Sequence, residues 1–93
     1  MDMTLAFLVF YKIRALSNQE KEDAKREWED FKAKLPSDMR IIGEYEHAWG
    51  SDYNGVFILE TDNMSSFLSW WPKFRDLTRW YVTETRTITC TKA

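Results

Sequence analysis

His47 is the only histidine in the chain, and so the one side chain whose ordinary pKa lies near neutrality. Four tyrosines and five tryptophans accompany it, donors of hydrogen bonds that also present flat apolar faces. In residues 40–49 (RIIGEYEHAW), Tyr45, His47 and Trp49 recur at every second position, which puts them on one side of a strand. An imidazole among aromatic rings is equipped to be a general acid/base, or a donor to a ligand oxygen, in a pocket for a flat organic compound. Tyr11 and Tyr53 add phenol donors, and Trp71, with Trp70, an opposite wall. The blander alternative is a half-buried edge-strand histidine satisfied by a neighbour, with the aromatic residues serving only to pack. Packing is the expected role of Trp28, Trp70 and Phe74.

Other chemistries find no support in the residue pattern. One histidine and one cysteine, Cys90, far apart in the chain, give no zinc-site spacing. No glycine-rich phosphate loop and no nucleophile elbow occurs. The expectation is therefore no metal and no cofactor. A formal charge of −2 offers phosphate backbones and anionic membranes no attraction, so neither nucleic acid nor membrane is an expected partner. The longest apolar run, residues 5–11, falls well short of the ~20 residues that cross a bilayer. A lone cysteine suits a reducing compartment, and the start Met1-Asp2-Met3-Thr4 lacks a basic signal region. A cytoplasmic location follows as the expectation.

The elements that must position these side chains are legible from periodicity. Residues 4–14 (TLAFLVFYKIR) are apolar on both alternating faces for most of their length, as in a strand covered on both sides. Ser17 and Glu20 have capping-box spacing, and Ala24, Trp28, Phe31 and Leu35 form one helical stripe ending before Pro36. Residues 40–49 and 55–61 (GVFILET) read as a hairpin. A five-residue loop at 50–54 sets Trp49 opposite Gly55, His47 opposite Phe57 and Tyr45 opposite Leu59. The other choice, a two-residue Asn54-Gly55 turn, leaves the third strand very short. Gly43 inside the second strand marks a bulge or a close approach to the backbone, the bulge being the preferred alternative. On the five-residue loop, Glu44, Glu46 and Glu60 share the side away from the helices, and His47 points under them. Asp62-Asn63 caps a second helix buried through Phe67, Leu68, Trp70, Trp71 and Phe74; Pro72 either kinks it or opens a second short helical turn. Residues 80–91 (WYVTETRTITCT) form the last strand.

Two β-α-β units joined by a hairpin predict a single domain over residues 1–93, an α+β ferredoxin-like βαββαβ fold. Its four-stranded antiparallel sheet has strands one and three at the centre and both helices on one face. Ala6, Leu8, Phe10, Val56, Ile58 and Ile88 then line the opposite face, which one subunit leaves uncovered, so a homodimer through the sheets is expected. Lys12, Arg14 and Arg86, with Glu44, Glu46 and Glu84, supply a mixed-charge rim at that seam, suited to surface pairing or to an anionic ligand.

The element order, the short length, the aromatic second helix and the following TETRTI strand (residues 83–88) resemble the dimeric α/β-barrel superfamily. That group includes antibiotic-biosynthesis-type monooxygenases and muconolactone-isomerase-like proteins. The resemblance implies a ligand cavity between helices and sheet in each subunit. The haem-degrading branch uses a histidine on the second helix, and none is present here. The functional expectation is a homodimeric domain binding a small aromatic or conjugated compound, as a cofactor-independent oxygenase or isomerase. His47 is the expected catalytic group, with Tyr11, Tyr45, Trp49, Tyr53 and Trp71 shaping the pocket. A non-catalytic ligand-sensing or protein-interaction domain is the rival.

Overall fold

The computed structural model describes residues 3–93. Its elements are β1 (Leu5–Ile13), α1 (Asn18–Ala33), β2 (Met39–Glu46), β3 (Gly55–Thr61), α2 (Met64–Thr78) and β4 (Val82–Thr91). The strands pair in the order β2-β3-β1-β4, all antiparallel, so the two most apolar strands hold the centre. This is the ferredoxin-like βαββαβ arrangement. At the start of α1 the Ser17 hydroxyl accepts from the Glu20 backbone N–H, and the Glu20 carboxylate accepts from the Ser17 N–H. At the start of α2, Asn63 accepts from the Ser65 N–H. Pro72 lies inside α2, which runs unbroken past it. No helix among the described residues is long and apolar enough to cross a membrane.

One face of the sheet lies under the helices. Its inward residues form rungs across the strands: Met39, Thr61 and Leu5; then Ile41, Leu59 and Phe7; then Glu44, Phe57 and Val9; then Glu46, Gly55 and Tyr11. Met39, Leu59, Phe7, Phe57 and Val9 of the first three rungs meet Phe67, Trp70 and Phe74 of α2 in the core, with Phe31 and Leu35 packed against it. Phe7 stacks on Phe67 with ring centroids 3.8 Å apart.

The opposite face carries Ala6, Leu8, Phe10, Val56, Ile58 and Ile88, joined by Tyr45. Tyr45 and Ile88 are exposed there. Glu60 also lies on this face and is buried beside Arg40, 3.4 Å away, as a large charged side chain must be if it leaves water.

The hairpin differs from the register expected of a five-residue loop. β2 ends at Glu46, and a bulge leaves Ile42 unpaired between Ile41, which pairs with Leu59, and Gly43, which pairs with Ile58 of β3. Glu44, not His47, faces Phe57, and Tyr45 pairs with Val56 instead of Leu59. The physical cause is parity. One unpaired residue exchanges the two faces for everything after it, so odd positions point inward before the bulge and even positions after it. Gly43 accommodates this because a Cβ there would lie 2.7 Å from the Tyr45 ring, which leans across it.

Candidate functional site

At the open end of the helix–sheet interface is a cavity of about 420 Å³. Its floor is Glu46 and Tyr11, from the two sides of the rung centred on Gly55, and its walls are Trp28 and Ala24 of α1, Phe74 and Thr78 of α2, and Tyr81 before β4. Gly55, buried beneath the Tyr11 ring, makes room for it. A Cβ on it would lie 2.7 Å from the Tyr11 ring carbon Cζ, so the Tyr11 ring crosses from β1 over β3, toward β2.

The polar groups fall into two kinds. The Glu44 carboxylate is fully engaged, accepting from Trp28 Nε1 and from Lys32 Nζ, each at 2.6 Å. Burial alone would raise its pKa; these two donors outweigh that and hold it below the usual carboxylate range. The Glu46 carboxylate, one rung further out, makes no ion pair or side-chain hydrogen bond among the described residues, and it lines the cavity. Tyr11 is pushed up, first by burial and then by the charges of Glu44 and Glu46. Tyr81 is pushed up to about 12, by burial and then by Glu27 and Tyr11. Both phenols thus stay protonated across the physiological range and act as hydrogen-bond donors. Lys21 and Lys25 reach the same cavity from α1.

Of the residues expected to form a pocket, Tyr11 alone lines this cavity. His47 lies in the exposed loop 47–54, where its Nε2 accepts from the Ser51 backbone N–H at 3.2 Å and its backbone N–H donates to the Asn54 carbonyl. Trp49 is 88% exposed on that loop. Tyr53 packs on Phe10 of the outer face, and Lys12 lies over its ring. Tyr45 lies on the same outer face, and Trp71 packs with Phe67 and Phe74 beside the core. Glu44 and Glu46 leave the expected outer rim for the cavity, while Lys12 pairs with Asp52 at 2.6 Å and with Glu84 at 3.7 Å. Arg14 binds Glu20 at 2.9 Å.

The cavity residues not foreseen are Glu44, Glu46, Trp28 and Tyr81. Gly43 held the signal for the two glutamates, because a bulge there turns them inward. Among the described residues no three His, Cys, Asp or Glu side chains gather as a metal site would require.

A four-stranded antiparallel sheet with two helices on one face and an apolar opposite face defines a ferredoxin-like α+β domain. Three solved structures show the same fold. A dimeric ferredoxin-like protein of unknown function from Bacteroides fragilis shares 13% identity over 98% of each chain, with a TM-score of 0.69. A Dabb family protein with a ferredoxin-like fold from Mesorhizobium loti shares 17% identity over 97% of each, with a TM-score of 0.67. A candidate antibiotic biosynthesis monooxygenase from Nitrosomonas europaea shares 11% over 99% of this chain and 92% of that one, with a TM-score of 0.68. No curated protein matches the sequence. The family model of the domain of unknown function DUF3303 matches residues 5–89, and the chain belongs to that family.

Proposed function

We propose that this domain is a cytoplasmic homodimer that binds an aromatic or conjugated small molecule in the cavity at the open end of its helices, and acts on it as an oxygenase or isomerase. The observation that carries the proposal is the make-up of the cavity wall. The Tyr11 and Tyr81 phenols and the Glu44 and Glu46 carboxylates are set among the rings of Trp28, Phe57 and Phe74. A few convergent polar groups in an apolar surround of ~300–1,000 Å³ is the general form of a small-molecule site. His47, engaged with Ser51, has the part of shaping the 47–54 loop, and proton handling falls to the cavity residues.

The outer face supports the dimer: its exposed apolar side chains need a cover, and a second copy offers the same surface. The Bacteroides fragilis structure is described as dimeric, and the Nitrosomonas europaea protein lends the oxygenase alternative its support.

Two measurements test this. Bicyclic aromatic ketones and phenols titrated into ¹⁵N-labelled protein are expected to move the Trp28 indole N–H signal, since that group forms the cavity wall. Shifts confined to exposed Trp49 would defeat the assignment of the cavity. Sedimentation equilibrium is expected to show a dimer that Ile58→Asp dissociates; a folded wild-type monomer at high micromolar concentration would remove the dimer.

A further inference from the structure

Glu46, Gly55 and Tyr11 occupy one rung of three neighbouring strands. The middle residue has no side chain, and the Tyr11 ring lies over it. The ring covers the buried glycine and carries its phenol from β1 toward β2, so a proton donor and a carboxylate both border the cavity walled by Trp28 and Phe74. The two glutamates are not equivalent there. Glu44 already holds two donors at 2.6 Å, so taking a proton would cost it both. Glu46 has none among the described residues, and its lone pairs are free for a ligand.

We propose that Glu46 and Tyr11 are an acid–base pair that enolises a ketone bound in the cavity, an inference that rests on the cavity being the ligand site. The Glu46 carboxylate takes a proton from the carbon next to the carbonyl. The C–H electron pair becomes the new C=C bond, and the carbonyl π pair moves onto oxygen, where the Tyr11 O–H donates a hydrogen bond to it. Returning the proton to the same carbon restores the ketone. In a β,γ-unsaturated ketone, returning it to the γ carbon, two atoms further along, moves the double bond into conjugation with the carbonyl. The step neither consumes nor supplies electrons, so it needs no oxidant or reductant. The substrate class is an aromatic or conjugated ketone with an acidic α C–H, small enough for about 420 Å³.

The probe is 2-tetralone, a bicyclic ketone with a benzylic α C–H, in D₂O with the full-length protein. Loss of its C1 proton NMR signal reports enolisation, and the shift of the Trp28 indole signal reports binding independently. Wild-type protein is expected to bind it and to accelerate exchange. Glu46→Gln is expected to bind it equally and to lower the protein-dependent exchange ~100-fold or more, within the usual range for loss of a general base. Tyr11→Phe is expected to slow exchange by about 100-fold, the usual scale for losing one hydrogen-bond donor to a developing oxyanion. Both substitutions keep the side chain's size and shape, and a retained Trp28 signal confirms that each folds. If tetralone moves the Trp28 signal but exchange is absent, or is as fast in Glu46→Gln as in wild type, the acid–base pair is overturned while the ligand site stands. If tetralone leaves the Trp28 signal unmoved, the ligand site itself falls, and the pair with it.

Discussion

The two ends of the helix–sheet interface are built from the same four strands and two helices and have opposite characters. At the closed end, Met39, Leu59, Phe7, Phe67 and Trp70 are all buried and the rings stack. At the open end, Tyr11, Tyr81 and two glutamates border empty space. Neither helix changes character abruptly between them; α1 presents Phe31 to one and Trp28 and Ala24 to the other. The sheet makes the difference. β2 sends Met39 and Ile41 inward before its bulge, and Glu44 and Glu46 after it, while β3 ends the row on Gly55. A single unpaired residue thus divides one strand face into a part that fills the core and a part that borders a site.

The closed end is expected to hold the stability. Phe7→Ala removes a ring that is 1% exposed and stacked on Phe67. Its loss should lower the unfolding free energy by about 3–5 kcal/mol in urea titrations at fixed protein concentration, as buried aromatic truncations do. Loss of under about 1 kcal/mol, far below the usual range, would show that the aromatic stack is not what holds the helices down.

Gly55→Ala tests the open end. The added Cβ would meet both the Tyr11 ring and the Tyr45 carbonyl oxygen at 2.7 Å, and the latter is backbone and cannot swing away. A cost of about 1–3 kcal/mol is expected, the usual scale of overpacking. The variant should also shift the Trp28 indole signal and lose ligand-induced changes at it. An unchanged Trp28 signal in Gly55→Ala would mean that Tyr11 does not depend on the room that Gly55 makes.

Much of this fold could be read from the residues. β1 and β3 are apolar on both faces and lie at the centre; the Ser17–Glu20 box and Asn63 start the helices as their types demand; and the apolar outer face is where alternation puts it. The site was far less legible. Tyr11 follows from β1 alternation, whereas the inward glutamates need the bulge counted into the parity. Period-two reasoning assumes an unbroken ladder, and Gly43 shows where it breaks without fixing how the faces exchange. Charge also argued against them, because a carboxylate under helices is costly unless paired. The partners that remove the cost to Glu44 are Trp28 and Lys32, on a different element. Tyr81 falls within the last strand as expected over residues 80–91, but β4 begins only at Val82 and Tyr81 lies in the turn before it, where alternation gives no direction.

Deleting Ile42 sharpens the parity account. Ile42 is unpaired and 54% exposed, and without it Ile41 still pairs with Leu59, Gly43 with Ile58 and Glu44 with Phe57. The shortened strand is expected to fold with Glu44 still bonded to Trp28, and to change stability by under about 1 kcal/mol, the scale of exposed-site changes. A Trp28 indole signal moved to the position of an unbonded indole would show that the bulge has a structural role beyond setting the faces.

The smallest effect concerns how the open end is held shut. Arg14, just past β1, donates to the Glu20 carboxylate at 2.9 Å and to the Trp80 carbonyl at 2.8 Å. It thereby ties the first turn of α1 to the chain entering β4, beside Leu16 and Lys21 of the cavity wall. The Arg14 hydrogen bond, with the Ser17 backbone N–H, lowers the Glu20 pKa to about 2. A carboxylate depressed in the folded state contributes stability above its unfolded pKa and loses it as pH falls through the folded one. The contribution should therefore be whole near neutrality and decline from about pH 4.5 toward about 2. Because the pair is solvated, the change should be local, appearing as faster amide exchange in the first turn of α1 while the closed end stays protected. Glu20→Gln should remove the acid dependence of that exchange. If exchange at Phe7 and Leu59 rose in parallel with that of the first turn, the two ends would open as one unit, and the division between a stable end and a site-bearing end would not extend to their dynamics.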